Sequence, residues 1–243
     1  MKVAILDDYQ NLSSPIFAPL TSQIDLTHHP STLNPRDPTQ RNALIQRLQP
    51  YEAIVTMRER TPFPADLVHA LPNLRLLLTQ GTRNLALDLD ACTAHGITVT
   101  GTTSRPPGVH STVQHTWALI LDLARQICRD DATIKNDPHG WQGSPLAMNL
   151  SCKTLGVLGL GKLGAETARI AIQAFGMRVV AWSGNLTQER ADEQAVAHGL
   201  PVGSFEVAGS KKAFFEGSDV VSVHHVLSER SRGIIGPEEL GGM

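Results

Sequence analysis

The chain has 243 residues, 41 % of them hydrophobic, and a formal net charge of −2. That length holds one large domain or two modest ones, and so small a charge excludes electrostatic steering toward nucleic acid or an anionic membrane surface. No apolar run approaches the ~20 residues that a bilayer demands, MKVAILDDYQ lacks the longer apolar stretch of a secretory signal, and Cys92, Cys128 and Cys152 are too few and too scattered for a disulfide framework or a metal pattern, so a cytoplasmic protein without a metal site is expected.

Strand signals recur at Val3–Leu6, Ile24–Thr27, Ala53–Met57, Leu74–Thr79 and Ile97–Thr100, with helix candidates between them. Asp37-Pro38 has the form of an N-cap followed by proline at the first helical position, opening TQRNALIQRLQ. Pro64–Leu71 and Asp88–His95 supply the next helices, the second closed by Gly96. Strands that alternate with helices over short connections build a parallel, helix-covered sheet. GTTSRPPGVH, residues 101–110, reads as a linker. It divides the chain into a first domain over 1–101 and a second over 102–243.

The second part opens with a strong helix. Ser111 and Gln114 have capping-box spacing, and Val113, Thr116, Trp117, Ile120, Ala124 and Ile127 recur at helical intervals. Residues 129–150 are polar and read as a loop anchored by Trp141, Leu146 and Met148. Then the alternation resumes. Strand 154–158 leads to helix Leu163–Phe175, closed by Gly176. Strand Arg178–Trp182 leads to helix Thr187–His198, closed by Gly199. A short helix at Lys211–Phe215, strand Asp219–His224 and a helix opened by Pro237 follow. The fold class expected is α/β, with two Rossmann-like or flavodoxin-like parallel-sheet domains, the second an incomplete doubly wound NAD(P)-binding fold.

TLGVLGLGKLG, residues 154–164, carries the chemistry. An apolar strand runs into Gly159-x-Gly161-x-x-Gly164 and then into a helix, the context that gives this glycine pattern its meaning. Gly159 permits the tight turn, Gly161 lets the backbone approach a pyrophosphate, and Gly164 lets helix pack on strand. The helix start, with Lys162 and Leu163, then offers free amides and a positive dipole end to the phosphates. An acid about 20 residues further on would bind the adenosine ribose. Position 183 is instead Ser, with Arg190 on the next helix. Ser183 does not repel a 2′-phosphate and Arg190 attracts one, which favours NADP; a Ser183 that merely ends its strand and an Arg190 that is merely solvated leave NAD equally open.

These stretches together resemble the D-isomer-specific 2-hydroxyacid dehydrogenases. The resemblance rests on DDYQ near the start, RERTPFP (58–64), LPNLRLLLTQGTRN and DLDACTAHGITVTGT (71–102), TWALILDLAR (116–125), KTLGVLGLGKLG (153–164), FGMRVVAW (175–182) and SDVVSVHHVLSERSRGIIG (218–236), in the family's order across nearly the whole chain. It implies a substrate domain followed by a coenzyme domain, and hydride transfer between NAD(P) and a 2-hydroxy or 2-oxo acid. It also implies a homodimer joined through the coenzyme domain, with residues 111–150 contributing. Backbone amides of Gln80-Gly81-Thr82-Arg83 are expected to hold the substrate carboxylate. Arg83 replaces a second family glycine and either meets an acidic substrate or is solvated. Arg60 either faces the cleft or pairs with Glu59. His224 is expected to line the cofactor site, Val226 stands where many members have proline, and His225 has no assigned role. The family's arginine, acid and histidine that perform the reaction are expected beyond Met243, and His110 and His115 do not replace them by position. The chain therefore reads as a C-terminally truncated member, with a catalytically inactive relative that keeps dinucleotide binding or serves as an interaction module as the alternative.

Overall fold

A computed structural model describes residues 1–81, 84–102, 110–137, 139–140 and 146–243. The chain forms two compact units, Met1–Arg105 and Pro106–Met243.

The first unit runs β1 (Lys2–Leu6), α1 (Ser13–Phe17), β2 (Asp25–His29), α2 (Pro38–Leu48), β3 (Ala53–Thr56), α3 (Ala65–His69), β4 (Leu76–Thr79), α4 (Leu89–Ala94), β5 (Thr98–Gly101). All five strands are parallel, in the order β2-β1-β3-β4-β5. Asp37 caps α2 by accepting from the Thr39 amide at 2.9 Å, and Asp88 caps α4 by accepting from the Ala91 amide at 2.9 Å. Leu44, Leu48, Ile54, Phe63, Leu67 and Leu77 fill the core under these helices. At the end of β1, buried Asp7 adopts a left-handed φ of 62° and accepts hydrogen bonds from the Thr32 hydroxyl at 2.6 Å and the Thr61 hydroxyl at 2.8 Å. Those bonds tie two loops to the carboxyl edge of the sheet.

The second unit continues with α5 (Ser111–Arg125), α6 (Ile127–Asn136), β6 (Thr154–Leu158), α7 (Lys162–Phe175), β7 (Arg178–Trp182), α8 (Gln188–Ala197), β8 (Glu206–Val207), α9 (Lys211–Glu216), β9 (Val220–Val223), α10 (Pro237–Gly241). Its strands are parallel in the order β8-β7-β6-β9. Gly176 and Gly199 end α7 and α8 with φ of 61° and 73°. Asp219 fastens β9 to β6. Its carboxylate accepts from the Thr154 amide at 2.8 Å and from Lys153 Nζ at 2.9 Å, and these bonds hold its pKa below the ordinary carboxylate value.

Four expectations need correction. The N-cap of α5 is His110, without a side-chain cap, so Ser111 is the first helical residue and not half of a capping box. The polar stretch after it is a helix, α6, which buries none of its residues; an Asp131–Lys135 pair at 2.6 Å and Thr and Asn side chains bonded back one turn replace apolar packing. Ile127 lies on that helix and is exposed, because Gln126 turns the chain with a left-handed φ of 57°. Leu146 anchors nothing and is exposed, Met148 packs on the core, and Trp141 lies outside the described residues. Ile234 and Ile235 are half-buried against Leu158, Phe214 and Phe215, and Leu240 is exposed.

Candidate functional site

β6 ends in the glycine turn, and each glycine meets a different demand. Gly159 has φ of 100°, and a Cβ there would lie 3.2 Å from the His224 carbonyl carbon. A Cβ on Gly164 would run far inside contact with the Gly159 carbonyl oxygen and reach 3.1 Å from Val157 Cγ1. Gly161 is the N-cap of α7, and a Cβ on it meets nothing within 4 Å. Packing therefore requires glycine at 159 and 164. At 161 the backbone is bare toward the cleft, the condition for close approach of a ligand. No side chain caps α7, so its first-turn amides, which have no partner within any helix, remain open to an anion.

Above this turn lies a cleft of about 560 Å³ at the carboxyl ends of β6, β7 and β9. It gathers Gly159, Gly161, Ser183, Arg190, His224 and Val226, six of the expected cofactor residues. Lys162 and Leu163 do not line it: Lys162 is exposed on the first turn of α7 and Leu163 packs on the core, while Gly164 lies buried beneath the turn. Leu160, Asn185, Leu186, Glu193, Gln194 and His225 complete the lining and were not expected. Glu193 and Gln194 follow Arg190 by one helical turn, a spacing that puts them on its face of α8 and was available as a signal. His225 had none.

The charges at the β7 end are specific. Arg190 donates from Nη1 to the Asn185 carbonyl at 3.3 Å, and among the described residues it has no carboxylate within ion-pair distance. Glu193 brings one acid to the same cleft from α8. On the β9 side, His224 Nε2 meets the Ser222 hydroxyl at 2.9 Å, and burial pushes its pKa below the ordinary imidazole value. His224 is therefore a neutral polar group at pH 7. Among the described residues, buried His225 Nε2 has no hydrogen-bond partner. An anion-ready helix start, a bare glycine backbone and an unpartnered imidazole nitrogen fit a dinucleotide.

The residues expected to meet substrate belong to the first unit. Arg60 stacks its guanidinium over the Tyr9 ring, 4.5 Å from the centroid, and donates to the Tyr9 hydroxyl at 3.3 Å. Gly81 has φ of 98°, and its amide, expected to hold a carboxylate, donates instead to Thr102 Oγ1 at 2.9 Å. Thr82 and Arg83 lie outside the described residues. Arg58, which the sequence reading passed over, comes within 3.9 Å of where a Gly81 Cβ would stand. Among the described residues no group of three or more metal-ligating side chains exists, and no helix is long and apolar enough to cross a membrane.

The family described as D-isomer specific 2-hydroxyacid dehydrogenase, NAD binding domain, matches residues 117–243. D-3-phosphoglycerate dehydrogenase of Archaeoglobus fulgidus is 32 % identical over 199 residues, covering 81 % of this chain and 34 % of its own length. Glyoxylate reductase of Aeropyrum pernix is 32 % identical over 183 residues, covering 72 % of this chain and 50 % of its own. The chain thus spans between a third and a half of these two relatives. The crystal structure of phosphoglycerate oxidoreductase from Vibrio cholerae superposes with a TM-score of 0.79 at 32 % identity, covering all of this chain and 72 % of that one. The family match takes in more than half of the chain, and the chain belongs to the D-isomer specific 2-hydroxyacid dehydrogenase family.

Proposed function

We propose that the cleft above the Gly159–Gly164 turn binds NADP or NAD, and that the protein interconverts a 2-hydroxy acid and a 2-oxo acid by hydride transfer. The observation that carries this reading is the gathering of Gly159, Gly161, Ser183, Arg190, His224 and Val226 around one cleft at an open helix start. Ser183 and an Arg190 that has no acidic partner among the described residues favour NADP, and Glu193 opposes it by repelling a 2′-phosphate. A bidentate guanidinium–phosphate contact is among the strongest hydrogen-bonded pairs, so NADPH is expected to bind more tightly than NADH. Fluorescence titration of the chain with both measures this. Arg190→Ala is expected to weaken NADPH about tenfold while leaving NADH nearly unchanged; tighter NADH binding by the unmodified chain would sink the NADP preference. A coupled assay of NAD(P)H oxidation with 2-oxo acids tests the reaction itself, and dinucleotide binding without turnover is the result expected of an inactive binding relative.

The same reading makes the protein a homodimer in the cytoplasm. Its support is the apolar side chains exposed on α5, α6 and the following segment: Leu119, Leu123, Ile127, Ile134 and Leu146, the last 94 % exposed. Large apolar side chains left exposed in numbers on neighbouring elements are a feature of association surfaces. Sedimentation equilibrium is expected to return twice the chain mass, and a monomer at micromolar concentration would remove the dimer. Free Cys92, Cys128 and Cys152 suit a reducing compartment, which cell fractionation checks.

A further inference from the structure

A second crevice lies wholly within the first unit. In an open parallel sheet, ligands bind outside the carboxyl ends of the strands, where the strand order reverses. In the order β2-β1-β3-β4-β5 that point lies between β1 and β3. There the structure has a cavity of about 270 Å³. Its walls are chiefly apolar, with Leu12, Ile16 and Phe17 on one side and Met57 on the other. A cavity of about 150 Å³ already takes a benzene ring, so this one has room for a ring and a short chain.

The wall is unusual in how it is held. α1 buries none of its residues. Its start is tied down by Asp8, whose carboxylate accepts from the Leu12 and Ser13 amides, both at 2.9 Å, and from the Ser13 hydroxyl. Asp8 lines the cavity too, and both of its oxygens accept hydrogen bonds from within the segment. Because polar bonds hold the segment, its apolar side chains stay unspent: Leu12 is 58 % and Ile16 72 % exposed. At the rim stands Tyr9, with the Arg60 guanidinium stacked on its ring. An apolar floor with a cationic rim matches an amphipathic organic anion.

We infer that this crevice takes the side chain of the acid substrate, and that the substrate is a 2-oxo or 2-hydroxy acid bearing a ring-sized or branched apolar group, with its charged end toward Arg60. As a statement about substrate this rests on the dehydrogenase reading above; as a binding site the crevice stands by itself. Glyoxylate has no group to fill the floor, and a phosphorylated acid would place a dianion against apolar walls.

The test is calorimetric titration of the full chain, with and without saturating NADPH or NADH, using phenylpyruvate, 4-methyl-2-oxopentanoate, glyoxylate and a phosphorylated 2-oxo acid. Phenylpyruvate is expected to bind at least about tenfold more tightly than glyoxylate, as burial of several apolar carbons requires. Ile16→Glu, at an exposed position, is expected to cost phenylpyruvate about tenfold in affinity, whereas Ile16→Val keeps it within about twofold. Both variants should bind dinucleotide as the unmodified chain does. Equal or tighter binding of glyoxylate or the phosphorylated acid, indifference to Ile16→Glu, or no acid bound at all overturns the inference. Failure of dinucleotide to bind, with phenylpyruvate still displaced by Ile16→Glu, overturns the dehydrogenase reading and leaves the crevice as a site.

Discussion

Gly164→Ala is expected to abolish useful dinucleotide binding. The added Cβ is driven into the Gly159 carbonyl oxygen, a backbone atom that has no rotamer to escape through. Either α7 lifts from β6 or the glycine turn is displaced. Overpacking of this kind costs about 1–3 kcal/mol in stability. The larger effect is on the ligand. A shifted helix start misdirects the first-turn amides, and losing two hydrogen bonds to a charged phosphate at about 1.5 kcal/mol each weakens affinity roughly a hundredfold. Gly161→Ala separates the two effects. Its Cβ meets nothing within 4 Å and its φ of −85° suits alanine, so stability should move by no more than about 0.5 kcal/mol. Affinity should still fall about tenfold, because the methyl stands where a pyrophosphate must approach. Thermal melts and NAD(P)H titrations of the two variants measure this. Equal stability losses in both, or full affinity in Gly161→Ala, would contradict the division of labour.

That division was legible from spacing alone, since Gly159 and Gly164 carry a stereochemical requirement that no other residue meets, while Gly161 leaves the backbone bare for a ligand. The parallel strands were legible for a similar reason: β1, β3, β4, β6 and β7 are short apolar runs bounded by turns and caps. What escaped the reading depends on long-range placement. His225 enters the cleft only because β9 is set beside β6 by the sheet order. β8 is two residues long and has no periodicity to detect. α6 is mostly polar, buries none of its residues and looks like a loop until its one-turn-apart side-chain bonds are seen. The Gly81 amide was assigned to a substrate carboxylate, but the hydroxyl of Thr102, twenty-one residues on, already accepts from it. Sequence reveals a backbone donor and not whether a neighbour has taken it. His110 capped α5 unannounced because a cap without a side-chain bond leaves no signature in residue type.

Phe214→Ala is expected to bring the second unit close to unfolding. Phe214 is fully buried, meets Phe215 edge-on with ring centroids 5.1 Å apart, and packs with Leu158 on the face of the sheet that α9 covers. Truncating such a side chain costs about 3–5 kcal/mol, a large share of the ~5–15 kcal/mol that holds a domain together. The cost is high here because the ring fits against bare backbone: its Cζ stands 3.0 Å from where a Gly156 Cβ would be, in the middle of β6. The chain reports on this unit by itself, since its three tryptophans, Trp117, Trp141 and Trp182, all fall within Pro106–Met243. Denaturant titration followed by tryptophan fluorescence should show the midpoint fall, while a probe on the first unit should not move. Gly156→Ala alone should also destabilise, by about 1–3 kcal/mol through overpacking. Combined with Phe214→Ala it should cost less than the sum, because the new methyl then faces the space the ring vacated. Its approach to Ser218 Cβ, at 2.9 Å, remains in the double variant, so the rescue is partial. Full additivity would mean that Ser218, and not Phe214, is what requires glycine at 156.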